Sequence, residues 1–225
     1  MKVFAGFIAL ASIAQAHDIS SQVTWSREIS RLLARHCTSC HHDGGSAFSL
    51  AAYAPAQAHA QEILKDVLDR QMPPFGAIKG FGELRDDRSL TQEQIALFVN
   101  WVQGGAPQGD PAFAPKTPPH APAAKPGPKF DKPEPKSGAE WIAGTQPLGA
   151  AKTFIGIRPE SLHGDSIRVI AALPDGTEEP LIWFYYYSPK FAHTYFFRKP
   201  LRLPAGTKII TSIPGATVAL IEPGR

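Results

Sequence analysis

Cysteine and methionine are both scarce in this chain of 225 residues, with two of each. Cys37 and Cys40 are the only thiols, so a disulfide framework is excluded, and a structural zinc site would need further ligands that no other cysteine can supply. No apolar run after Ala16 approaches the roughly 20 residues needed to span a bilayer, which argues against a transmembrane anchor. No block of Lys and Arg marks a nucleic-acid surface; the formal charge of +3 is spread along the chain and names no partner. There is no internal repeat. The 19% charged and 43% hydrophobic residues suit a folded protein rather than a disordered one.

The N-terminus carries a leader pattern. Met1-Lys2 is a short positive start, Val3 to Ile13 is apolar, and Ala14-Gln15-Ala16 has the A-x-A form of a cleavage site. Residues 1–16 are therefore expected to be a signal peptide, no cysteine stands near the cut to carry a lipid, and the bacterial periplasm is the expected compartment. Proline divides the rest. Ten of the 22 prolines fall between Pro107 and Pro135, with Gly105 just before them and Gly109 and Gly127 among them, as in a semi-extended linker. The expected organisation is a first domain over residues 17–106, a Pro-rich linker over 107–136 and a second domain over 137–225, the last folding by itself.

Against this background Cys37-Thr38-Ser39-Cys40-His41 stands out. C-x-x-C-H is the attachment signature of a c-type haem: two thiols reach one porphyrin edge and the next imidazole supplies an axial nitrogen to iron. The competing reading is a redox disulfide with His41 incidental. Around the motif the sequence reads as three helices. Ile29, Leu32, Leu33 and His36 give one helical face leading into it. Ile63, Leu64, Val67 and Leu68 form the buried side of a helix over about Ala56 to Arg70. Thr91 and Gln94 form a capping box ahead of Ile95, Phe98, Val99 and Val102, and Gly104-Gly105 ends that helix.

Met72 is the only methionine left once the leader is removed, and it stands in Gln71-Met72-Pro73-Pro74, where prolines stop the second helix. A thioether is the sixth ligand that electron-transfer haems commonly use, which makes Met72 the expected second axial ligand, with His59 the competitor. Methionine as a plain core filler is the alternative. Arg27, Arg31 and Arg35 recur every four residues and read as a solvated face, with an acidic redox partner as the functional reading. His17, the expected mature N-terminus, could chelate copper, but nothing else in the chain accompanies it; His42 and His120 read as exposed loop residues.

The pieces Cys37 to His41, Phe48-Ser49-Leu50, Met72-Pro73-Pro74, Leu90 to Gln94 and Trp101-Val102-Gln103-Gly104-Gly105-Ala106-Pro107 resemble the short cytochrome c domains attached to many large bacterial exported proteins. The resemblance implies an all-α haem domain with one covalent haem c, Met72 as distal ligand, and Trp101 packed near the porphyrin edge.

The second half has strand character. Ile167 to Ala171, Leu181 to Tyr187, Tyr195 to Phe197, Leu201 to Leu203, Lys208 to Ile210 and Val218 to Leu220 read as short strands, with turns at Pro174-Asp175-Gly176 and Pro204-Ala205-Gly206. A small antiparallel β-sandwich is expected, giving an α + β multidomain chain. Gly164 to Arg168, Leu173 to Gly176 and Lys199 to Thr207 resemble the copper type II ascorbate-dependent monooxygenase-like domains. On the alignment fixed by Gly164, the family's copper histidines fall on Pro159 and Ser161, and no methionine follows Met72 to serve as its copper methionine. The resemblance thus implies the fold without the copper chemistry.

The expected function is a periplasmic monohaem cytochrome passing single electrons to a redox partner protein, with no catalytic residue and no nucleic acid involved. The β domain would serve partner recognition or support. The alternative is an enzyme, a haem–copper oxidoreductase whose β domain holds metal in an unrecognised arrangement; His163 and His193 would be its remaining histidines.

Overall fold

The computed structural model describes residues 22–45, 47–116, 138–163 and 166–224. The leader, His17, most of the expected linker including His120, and Gly164-Asp165 lie outside the described residues. Helices occupy the first half and two antiparallel sheets the second.

A π-helical turn, Trp25–Ile29, runs into helix α1, Ser30–His36, which ends on Cys37. Ile29 and Leu33, one turn apart, are fully buried. The single helix expected from Ala56 to Arg70 is instead two: α2, Tyr53–Ala58, and α3, Ala60–Leu68, with His59 between them at φ −102, ψ 14. Helix α4, Gln92–Gln103, starts at the expected capping box, Thr91 Oγ1 accepting from Gln94 N while Gln94 Oε1 accepts from Thr91 N. These helices share a core of Trp25, Ile29, Leu33, Ile63, Val67, Ile95, Phe98 and Trp101.

The first residues of the expected linker dock on this helical core. Trp25 N and Trp101 Nε1 both donate to Pro107 O, at 3.0 and 3.1 Å, and Ser26 N donates to Gln108 O. A short 3-10 turn follows at Pro111–Phe113. Arg27 lies over the Phe113 ring, 3.8 Å from its centroid, and Arg31 donates to Phe113 O at 2.9 Å. Two of the three arginines read as a solvated stripe therefore hold this segment to the helices.

The strands are β1 (Ala139–Ala143), β2 (Thr145–Pro147), β3 (Lys152–Ser161), β4 (Ser166–Ala172), β5 (Glu178–Tyr185), β6 (Tyr195–Leu203), β7 (Lys208–Thr211) and β8 (Thr217–Ile221). One sheet has the order β1-β8-β3-β6 and the other β2-β7-β4-β5, all neighbours antiparallel. Inward residues of both sheets, among them Phe154, Ile157, Val218, Val169, Leu181 and Phe184, form one core. Burying each such side chain stabilises the fold by roughly 1.5–3 kcal/mol. Pro159 is tolerated in β3 because the β6 pairing stops at Ile157 and the β8 register shifts between Pro159 and Ser161.

The helical half does not close on itself. Phe75, Ala77 and Leu84 are buried in the β core, not among the helices. The stretch from 75 to 85 forms a strap across the free edges of β5 and β6. Ala77 bridges Phe184 and Ile78 N donates to Trp183 O on β5; Leu84 bridges Phe197, Arg85 N donates to Phe196 O, and Arg198 N donates to Glu83 O on β6. Gly82 lets the strap touch β5: a Cβ there would stand 2.0 Å from Leu181 O, at a φ of +84. The expectation of an all-α domain over residues 17–106 holds only for its helices, because strand pairing and the β core claim the loop from 75 to 85.

Candidate haem-attachment site

Helix α1 delivers Cys37, and a tight turn places the rest of the motif. Cys40 N and His41 N both donate to Cys37 O, at 3.0 and 2.9 Å, so the chain folds back at once and both cysteines sit on one short turn. Cys37 and Cys40 are free thiols, Cys37 half-buried against the helical core and Cys40 exposed. Burial, with a smaller contribution from Cys40, pushes the Cys37 thiol up to about 12. A thiol–disulfide exchange centre needs a thiolate, which is the opposite shift.

His41 is oriented by backbone. A carbonyl can only accept, so His41 Nδ1 carries the proton and donates to Phe48 O at 3.0 Å. That leaves Nε2 with the lone pair a metal needs, the arrangement found behind most ligating imidazoles. Leu50 N donates to His41 O at 3.0 Å, which ties the Phe48-Ser49-Leu50 segment to the motif.

The same Phe48 ring stacks on His59, 3.8 Å between centroids at 11°, and lies 5.0 Å from the His41 ring. His59 is thus engaged by the Phe48 ring, and its Nδ1 is 3.0 Å from Glu62 Oε2.

Met72 follows the end of α3. Arg70 takes a left-handed conformation, φ 55, and Gln71 N and Met72 N both donate to Asp66 O, at 2.8 and 3.1 Å. The Arg70 guanidinium donates to Leu90 O at 3.1 Å and to Gln92 Oε1, closing the base of the loop onto the start of α4. Met72 itself is 37% exposed, so it does not serve as core filler. It lines a small crevice between Val67 and Leu90 of the helical core and Gly76 and Ala77 of the strap. Leu68 on α3 is 46% exposed and Leu64, one turn earlier, is partly open, an apolar stripe that a planar macrocycle would suit.

Trp101 is fully buried, 6.5 Å from the Trp25 ring, and acts in the core that fixes α4 across the helical turn at Trp25. Tyr53 lies edge-on to Trp25 at 6.0 Å and donates to Ala106 O. Ser161 and His163 form an exposed pair at 3.1 Å, while His193 stacks on Tyr195 at 4.0 Å. Among the described residues no group of three or more His, Cys, Asp and Glu gathers as a metal cluster, and no helix is long and apolar enough to cross a membrane.

The donor set fits a covalently held haem: two separate thiols on one turn, an imidazole with its free nitrogen fixed by a carbonyl, and an open thioether on a loop braced at both ends. Residues that sequence reasoning passed over are Gln71, Phe75, Gly76 and Tyr195, which brace that loop. Only the glycines at 76, 80 and 82 hinted at close backbone approach there. Comparison with protein-family models, with curated proteins and with solved structures finds no match for this chain.

Proposed function

We propose that this chain is an exported c-type cytochrome that carries one electron at a time. Cys37 and Cys40 would hold haem c through thioether bonds, and His41 and Met72 would be its axial ligands. The observation that carries this reading is the His41 Nδ1–H bond to Phe48 O beside two free thiols in C-x-x-C-H spacing. His59, the competing sixth ligand, is already engaged by its stack on Phe48 and by Glu62 Oε2. When bound, haem supplies an iron that alternates between ferric and ferrous states, and six coordination leaves no position for a substrate.

The chain's own part is to orient and exclude. Phe48 O fixes the imidazole tautomer, which keeps the ligand ready before and after electron transfer. The loop from Arg70 to Leu90 holds a thioether, which favours the ferrous state relative to nitrogen ligation. Export to the periplasm rests on the leader pattern of residues 1–16, and the redox partner is a protein of that compartment. The resemblance to copper monooxygenase-like domains rests on the sequence of the second half, and the β unit is proposed as a structural support.

Expression of the full chain with haem-maturation machinery should yield a haem-stained band that survives denaturing electrophoresis. The double change Cys37→Ala and Cys40→Ala should abolish it. Extraction of all haem from the unaltered protein by acid acetone would defeat the attachment claim.

A further inference from the structure

Met72 is braced from the sheets as well as from the helices. On its N-terminal side Gln71 Nε2 donates to Tyr186 O, the residue just past β5, at 3.0 Å. On its C-terminal side the Tyr195 hydroxyl, at the start of β6, donates to Phe75 O at 2.6 Å and lies 3.2 Å from Phe191 O. Tyr195 is 2% exposed, and its ring meets Phe75 edge-on at 5.3 Å. Without Phe75 O this buried hydroxyl would keep only the longer contact to Phe191 O, so the short bond favours the strap in place where it leaves Met72.

Gly76 makes the lock fit. Its φ is +83, and a Cβ there would stand 2.7 Å from Tyr195 Oη and 2.8 Å from Phe191 Cβ. Only a residue without a side chain passes between Tyr195 and the turn at Pro189–Phe191. Beyond it the strap is laddered to both sheet edges by the bridges at Ala77 and Leu84. Phe75 stands three positions after Met72, and three residues reach at most about 10 Å. The thioether and the Tyr195 lock cannot move independently.

From this we infer that the β unit is the holder of the sixth iron ligand, with Tyr195 and Gly76 as positioning residues that press Met72 onto the haem. The inference rests on the assignment of Met72 as that ligand. It gives the sheets a role that needs no metal and no substrate of their own: they supply the rigid side of the ligand loop. Loosening the lock should leave haem attachment intact while making the thioether easier to displace.

The test uses the full-length haem protein. Imidazole is added to the ferric form, and its rate of displacing Met72 is followed by loss of the long-wavelength sulfur-to-iron band. Amide hydrogen exchange of residues 75–85 is read in parallel. Tyr195→Phe removes only the hydroxyl and should speed displacement roughly five- to tenfold, with a matching rise in exchange. Gly76→Ala should act more strongly; should it fail to fold, Tyr195→Phe carries the test. Ile142→Val, in β1 at the far edge of the sheet, weakens the same core and should leave displacement within about twofold of the original. Unchanged displacement in Tyr195→Phe, or equal acceleration in Ile142→Val, would overturn the inference. Met72→Ala separates the two claims: persistence of the band there overturns the ligand assignment and the inference together. Loss of the band in Met72→Ala with no effect of Tyr195→Phe overturns the inference alone.

Discussion

The helical and the β regions differ in what they leave open. The helices bury Trp101, Phe98, Ile29 and Leu33 but keep Cys40, Met72 and Leu68 at the surface, together with a half-open His41 and Cys37. Between the sheets Tyr195 is buried, and burial raises its hydroxyl pKa far above the ordinary value. The open sulfur and imidazole side chains of the candidate site lie in the helical region, and the more closed packing around Tyr195 lies in the other. The strap from 75 to 85 joins them, belonging to the first region by sequence and to the second by packing.

A pair of core truncations breaks this comparison most sharply. Trp101→Ala and Phe184→Ala each remove a fully buried aromatic and should each cost about 3–5 kcal/mol. Phe184 bridges Ala77 and packs edge-on against Tyr187 and Tyr195. Its loss should therefore expose amides of the strap as well as those of β5 and β6. Trp101→Ala should raise exchange in α4 and the Trp25 turn while the sheets stay protected. Identical exchange patterns would mean that the two regions open as a single unit, and the comparison would collapse.

A smaller change sharpens it. Thr91→Ala removes the N-cap of α4 and half of its capping box, at a cost of about 1 kcal/mol. Arg70 also reaches Gln92 at this helix start, so fraying should be felt at the base of the Met72 loop and read as faster exchange near residues 90–95. The strap itself should not respond, because Tyr195 and the bridges hold its other end. A stability loss below a few tenths of a kcal/mol would show that Gln94 alone suffices.

The mildest test is pH. His36 is held below the ordinary 6.5 by burial and then by Arg35 and Lys79, and His193 is lowered chiefly by burial. For both, the unfolded chain takes up a proton more readily than the folded one. Their contribution to stability is full above about pH 6.5 and is lost as pH falls below that value towards each folded pKa. Urea midpoints between pH 7.5 and 5 should fall, and His36→Gln and His193→Gln should each flatten part of the slope. One region titrates through each histidine, so the two variants apportion acid sensitivity between helices and sheets.

The start of α4 and the candidate donor residues were readable for local reasons. A capping box is written in four consecutive residues, and C-x-x-C-H and Met72 are contiguous signals whose chemistry follows from residue type. The split of the second helix at His59 was not readable, since Ala56 to Arg70 has continuous apolar spacing. Strands β1 to β3 were missed because Gly144, Pro147, Gly149, Gly156 and Pro159 look like loop punctuation, yet β3 turned out to be central in its sheet. The strap was the least legible part. Gly76, Gly80 and Gly82 signal a turn-rich loop, and only partners more than 100 residues away, such as Tyr195 and Phe184, turn that loop into part of a core. The three arginines are exposed, as a solvated stripe should be, but the docking of Phe113 on two of them was not legible, because Phe113 lies 82 residues from Arg31.

The strap also bears on how this protein stays dispersed. β5 and β6 lie at the ends of their sheets, and an open strand edge is a template for another chain. Residues 77–85 occupy those edges with their own backbone groups, and Phe75, Ala77 and Leu84 fill the apolar gap behind them. A fragment beginning at residue 138, although it contains every strand, would lack that cover. Cut free in this way, the sheets should recruit copies of themselves and precipitate, and a synthetic peptide spanning residues 73–87 should restore their solubility.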